Sequence, residues 1–149
     1  MHFFVLVVTE EKPTTEVISK ALAPFGPDGE DEWEWWEFGG RYSGSLIALD
    51  PDNTVSVRPG RLGRGVDALQ VKNFDATTAD APFAVILDGV WYECEVFPTE
   101  ASDRALGIEM TPEERDAERA AVARWTAKVE TLLSSVPGEY WLAVVDCHF

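Results

Sequence analysis

The residues best suited to chemistry stand at the two ends of the chain. It closes on Val144-Val145-Asp146-Cys147-His148-Phe149, and His2 follows the first residue. Side chains alternate along a strand, so Asp146 and His148 would share one face and Cys147 would point the other way. An Asp and a His on one face can act as a base with its orienting carboxylate, or as two metal ligands. The sequence has no metal-ligand spacing motif, so the plainer reading is a set of satisfied structural polar groups, and no metal is expected. His2 opens a second apolar run and would approach His148 if the two runs were antiparallel neighbours. Cys147 reads as an inert buried thiol.

A second constellation lies at Glu32-Trp33-Glu34-Trp35-Trp36-Glu37-Phe38-Gly39-Gly40-Arg41-Tyr42-Ser43-Gly44, which holds half of the six Trp. Trp is costly to expose, and Gly39-Gly40 permits backbone conformations that a Cβ forbids. The combination predicts an aromatic wall beside a tight turn with one cation at its lip. Arg41 could stack on Trp35 or Tyr42, or meet a carboxylate such as Glu37. The candidate ligand- or partner-binding residues are therefore Trp35, Trp36, Gly39, Gly40, Arg41, Tyr42, Asp146 and His148; the alternative is that the Trp block is core.

Other chemistry lacks its signature. Gly39-Gly40-Arg41 is too short for a phosphate loop, and Gly60-Arg61-Leu62-Gly63-Arg64-Gly65 has no strand–turn–helix context for a dinucleotide site. Nucleophile-elbow, zinc-protease and Cys-x-x-Cys motifs are absent. No catalytic residue and no cofactor is expected. The formal net charge is −15, which repels phosphate backbones and argues against direct nucleic-acid binding. Acidity serves solubility in the plain reading and nucleic-acid mimicry towards a basic partner in the sharper one. The charge is uneven: positions 28–37 hold six carboxylates and no cation, whereas positions 58–72 hold four cations and one acid, Asp67. That basic stretch could receive an anion.

The elements that must position these residues follow from patterning. With 149 residues and 46% hydrophobic content, the chain fits one domain, residues 1–149, with one core. His2–Val8 and Tyr140–Cys147 are apolar on both faces and read as central, adjacent strands. Thr14–Ala23 reads as a helix burying Val17, Ile18, Ala21 and Leu22. Trp33–Phe38 reads as a strand with Trp33 and Trp35 on one face and Trp36 and Phe38 on the other. Ser45–Asp50 and Thr54–Val57 read as a hairpin around Pro51-Asp52-Asn53. Asp88-Gly89 marks a second hairpin, between Phe83–Leu87 and Trp91–Phe97; the stretch 66–81 is ambiguous. Thr111-Pro112-Glu113-Glu114 is a capping box that starts a helix to about Ser135, with Ala117, Ala121, Trp125, Val129, Leu132 and Val136 inward. Without regular βαβ alternation the class is α+β: a mostly antiparallel sheet with two helices on one face. The longest apolar run, Phe3–Val8, falls short of the about 20 residues a membrane span needs. With no basic leader and two cysteines, Cys94 and Cys147, a cytoplasmic location is expected.

Taken together, the chain resembles a family of small uncharacterised proteins common in bacteriophages and prophages, including those of high-GC Gram-positive hosts. The matching stretches are Met1–Val5, Trp33–Tyr42, Val66-Asp67-Ala68 with Phe74-Asp75, Phe83-Ala84-Val85 with Asp88–Trp91, and Val144–His148. Family members usually carry Trp where this chain has Tyr42. The resemblance implies a phage-linked accessory protein in the host cytoplasm and transfers no catalytic residue. Two function classes stay open. One is an acidic, non-catalytic binding protein that inhibits or modulates a host protein, such as one of defence or nucleic-acid handling. The other is a protein or enzyme for a small anionic or nucleotide-like ligand, with a site built from the Trp-Gly-Gly-Arg block and the terminal Asp-Cys-His. Arg41 and His148 lining one open pocket would favour the second, and both buried in mutual salt bridges would favour the first.

Overall fold

The computed structural model describes residues 1–27, 32–58, 65–77, 80–97 and 106–149. Among them the two long apolar runs become the centre of one sheet. β1 (His2–Thr9) and the last strand (Trp141–His148) pair antiparallel along their whole length, from His2 opposite His148 to Thr9 opposite Trp141. Two short strands, β2 (Trp35–Phe38) and β3 (Ala68–Gln70), share the other edge of the last strand. β4 (Ala84–Leu87) runs parallel to β1 on its far side, and β5 (Val90–Glu93) closes that end as a hairpin. With the last strand numbered β6, the order is β2-β6-β1-β4-β5, with β3 also on β6. Every pairing except β1–β4 is antiparallel, so the fold is α+β with the first and last strands adjacent. Asp88 and Gly89 turn the hairpin at φ of 50° and 73°, the left-handed pair a two-residue loop requires.

The two helices lie on opposite faces of the sheet, not on one. α1 (Thr15–Leu22), capped by the Thr14 side chain on the Val17 N–H, buries Ile18 and Leu22 against Phe3, Val5, Val7, Ala143 and Val145. α2 (Pro112–Ser134), opened by the Thr111–Glu114 capping box, buries Trp125 and Val129 against Phe4, Leu6, Val85, Leu142 and Val144. The reason is the alternation itself: β1 and β6 are apolar at odd and even positions alike, so each face needs its own cover. Ala117 is exposed and lies outside the buried stripe of α2. No described helix is long and apolar enough to cross a membrane.

The expected hairpin of residues 45–57 is also rearranged. Its two arms pair with residues 66–74 instead of with each other: Leu46 with Val66, Ala48 with Phe74, and Val55 with Ala68. Residues 66–74 include β3, which is anchored on the buried β6, so its backbone groups are already fixed in direction and offer a ready edge to each arm.

Val144 marks a break on that edge of β6. Residues 145–148 pair with β2 and residues 141–143 with β3. Between them, the Val144 N–H donates to Asp67 O (2.8 Å) and the Val144 carbonyl accepts from Gly39 N–H (2.8 Å). The Gly39–Arg41 turn leaves the sheet at this break.

Candidate functional site

Two buried carboxylates hold the turn. Asp67 and Asp146 are each 1% exposed. Asp67 Oδ1 accepts from Gly44 N (2.8 Å) and Oδ2 from Val57 N (2.7 Å). Asp146 Oδ2 accepts from Arg41 N (2.9 Å), and both its oxygens lie within 3.1 Å of His2 Nδ1. An ionised carboxylate only accepts, so opposite one, His2 Nδ1 is the donor of this contact. The turn between the two acids must be glycine. Gly39 and Gly40 have φ of 72° and 51°, where a Cβ is strained. A Cβ on Gly39 would stand 2.8 Å from Val57 Cγ2, and one on Gly40 would meet Asp146 Cβ and lie 2.7 Å from its Oδ2.

Around this clamp the aromatic rings are ordered by the strand register. Trp35 opposes His148, and Glu37 opposes Asp146. The Trp35 indole stacks on the His148 imidazole, centroids 4.9 Å apart and planes 9° apart, and His2 meets both rings edge-on. His148 Nε2 lies 3.0 Å from the Met1 nitrogen; its Nδ1 is buried without a hydrogen bond, 3.7 Å from Glu34 Oε2. Tyr42 stacks on Phe4 and donates its hydroxyl to His2 O (3.1 Å). Burial, then the Asp146 charge, raises the Tyr42 phenol above its ordinary range, against a smaller opposite pull from Arg41. Burial, reinforced by Asp146, also pushes the Cys147 thiol well up, as an inert thiol requires.

The structure thus brings Trp35, Gly40, Arg41, Tyr42, Asp146 and His148 to one neighbourhood, with Gly39 anchoring it. Trp36 is not part of it: it packs on the α1 side with Phe38. Trp33 precedes β2 and belongs to that core too, its indole N–H donating to Leu22 O (3.2 Å). Arg41 contributes its backbone N–H to Asp146, while its side chain is exposed, and among the described residues no hydrogen bond or ion pair engages the guanidinium. Glu37 pairs instead with Arg58 (2.6 Å). The basic loop at 59–64 lies outside the described residues.

Asp67 was missed as a site residue. It stands as the lone acid in a basic stretch, and that isolation was the available signal. The partner of Asp146 is His2, not its near neighbour His148. Both outcomes follow from register across the sheet, which no local pattern carries.

Among the described residues Arg41 and His148 share no salt bridge, and neither lines the two cavities next to the sheet. One of about 370 Å³ is walled by Phe4, Tyr42, Phe83, Cys94, Phe97 and Trp125 among others. Another of about 260 Å³ lies between α2 and Leu6, Leu46, Val71 and Phe74. Among the described residues no group of His, Cys, Asp and Glu is placed to hold a metal. Comparison of the chain with protein-family models, with curated proteins and with solved structures finds no match.

Proposed function

We propose that the protein is an acidic, phage-linked accessory protein that works in the host cytoplasm by binding a host protein, without catalysis, and thereby inhibits or modulates it. One observation carries this reading: the two carboxylates of the site are engaged in building it, while two side chains are left facing out. The Asp67 and Asp146 carboxylates are occupied by backbone N–H groups and His2. Trp35, 44% exposed, and the Arg41 side chain flank that pair. Trp and Arg on a rigid support are the side chains that most often anchor protein interfaces. The net charge of −15 supports attraction to a basic partner and disfavours nucleic acid.

The test is affinity capture from host lysate with the wild-type chain, Trp35→Ala and Arg41→Ala side by side. One protein retained by wild type and depleted about tenfold by each variant is expected, that factor being about 1.4 kcal/mol of binding. Retention of the same proteins by all three would overturn the reading. The exposed Arg41 guanidinium also favours a second reading, a small anionic or nucleotide-like ligand. Thermal shifts of the wild type with phosphate and nucleotides, absent in Arg41→Ala, would select it.

A further inference from the structure

We propose that Trp35 is the platform of a cation-binding patch that receives an arginine side chain from the partner. This rests on the reading of the Trp35 surface as the binding surface and names the chemistry that it recognises.

The indole is held in a fixed orientation. His148 stacks on one face at 4.9 Å, and His2 abuts it edge-on at 5.3 Å. Trp35 stands on an edge strand with 44% of the residue exposed, which leaves indole surface for a partner. Aromatic faces attract cations, and elsewhere this protein uses them so: Lys12 stands over Trp141 at 5.7 Å and Lys128 over Tyr92 at 5.3 Å. Among the described residues no cation stands over Trp35. Carboxylates flank it. Glu34, with a 71% exposed side chain, precedes it and sits beside the stacked His148. Glu37 lies on the same strand face and already holds Arg58 at 2.6 Å, so guanidinium pairing occurs at this edge within the chain itself. A planar guanidinium can stack on the indole and donate sideways to Glu34, a geometry that an ammonium cannot match. The −15 body would concentrate a basic partner at this surface.

The probe is a short synthetic peptide with two arginines separated by glycine, titrated calorimetrically against the full chain at fixed salt. Its counterpart with citrulline, which keeps the shape and loses the charge, is run alongside. The arginine peptide should bind and the citrulline peptide should not. Trp35→Ala should weaken binding about fivefold or more, and Trp35→Phe less than Trp35→Leu, following the strength of the aromatic face. Glu34→Gln should weaken binding beyond Glu11→Gln, which removes the same charge at the far end of β1. Melting curves of each variant separate lost binding from lost fold. Equal affinities for wild type and both Trp35→Ala and Trp35→Leu, or equal losses for Glu34→Gln and Glu11→Gln, would reduce the effect to general attraction and overturn the proposal. Failure of the peptide to bind, with host-protein capture still dependent on Trp35 and Arg41, would reject the arginine and leave the binding surface standing.

Discussion

The two edges of β6 are built on different principles. On one side β1 runs beside it without interruption, and from Val5–Val8 opposite Leu142–Val145 both strands are apolar on both faces, so this stretch of the seam is held by burial between α1 and α2. On the other side two short strands meet at Val144, and the junction is held by individual groups: two carboxylates, two glycines with positive φ, and a handful of backbone N–H donors. Burial is non-directional and shared over many contacts, so the first edge is sturdy along its middle and carries the directed His2–Asp146 contact only at its end. Directional hydrogen bonds fix positions more finely. They let the second edge present Trp35 and Arg41 outward in a defined arrangement.

Substitutions that separate burial from directed contacts test this contrast. The largest loss should come from Trp125→Ala, which removes the α2 anchor packed near Phe4, Leu6 and Val144 and the indole bond to Pro82 O (2.6 Å). About 3–5 kcal/mol is expected from a denaturant melt. A loss below about 1 kcal/mol would mean that the apolar face does not carry the fold.

Gly40→Ala should come next. The added Cβ is strained at positive φ and collides with Asp146, together about 3 kcal/mol. A variant as stable as wild type would show that the turn can relax and that the clamp is not rigid.

Asp67→Asn turns an acceptor into a donor facing the N–H of Gly44 or Val57. It should cost about 1–3 kcal/mol, the range for a buried group left unpaired. Partner binding should fall with it if the clamp orients Arg41.

Tyr42 gives a pH signature of the same edge. Its phenol is raised by burial and by Asp146, so the folded chain keeps that proton to higher pH than the unfolded one. Its stabilising share is full below the unfolded value of about 10 and is lost as pH climbs through the higher folded value. Tyr42→Phe should flatten the alkaline fall in melting temperature; an unchanged slope would place the titration elsewhere.

The smallest stability effect is expected for Arg41→Lys. The contact that holds the turn is the Arg41 backbone N–H, which the substitution keeps. The melting temperature should hold, within about 0.5 kcal/mol, while partner capture falls because a planar fork of donors is lost. A clearly lowered melting temperature with capture intact would make the Arg41 side chain part of the scaffold.

Much of the scaffold could be read from local pattern. Two runs apolar on both faces, Phe3–Val8 and Trp141–Val145, require central strands with cover on each side, and they pair as expected. Thr111 caps the helix it precedes, and Asp88-Gly89 turns the hairpin. Each is a statement about neighbours within a few residues, where periodicity, capping and φ preference act directly. The sides taken by the helices, the pairing of residues 46–55 with residues 66–74, the separation of Trp36 from Trp35, and the burial of Asp67 are different. They depend on which backbone groups meet across the chain. The His2–Asp146 pair joins residues 144 positions apart, and its existence is set by the β1–β6 register, since a shift of one residue would turn His2 to the other face. The sequence by itself determined which strands are buried and where the chain turns. Only the tertiary structure decided which polar groups face each other, because a hydrogen bond needs both partners in place and no local pattern specifies the second.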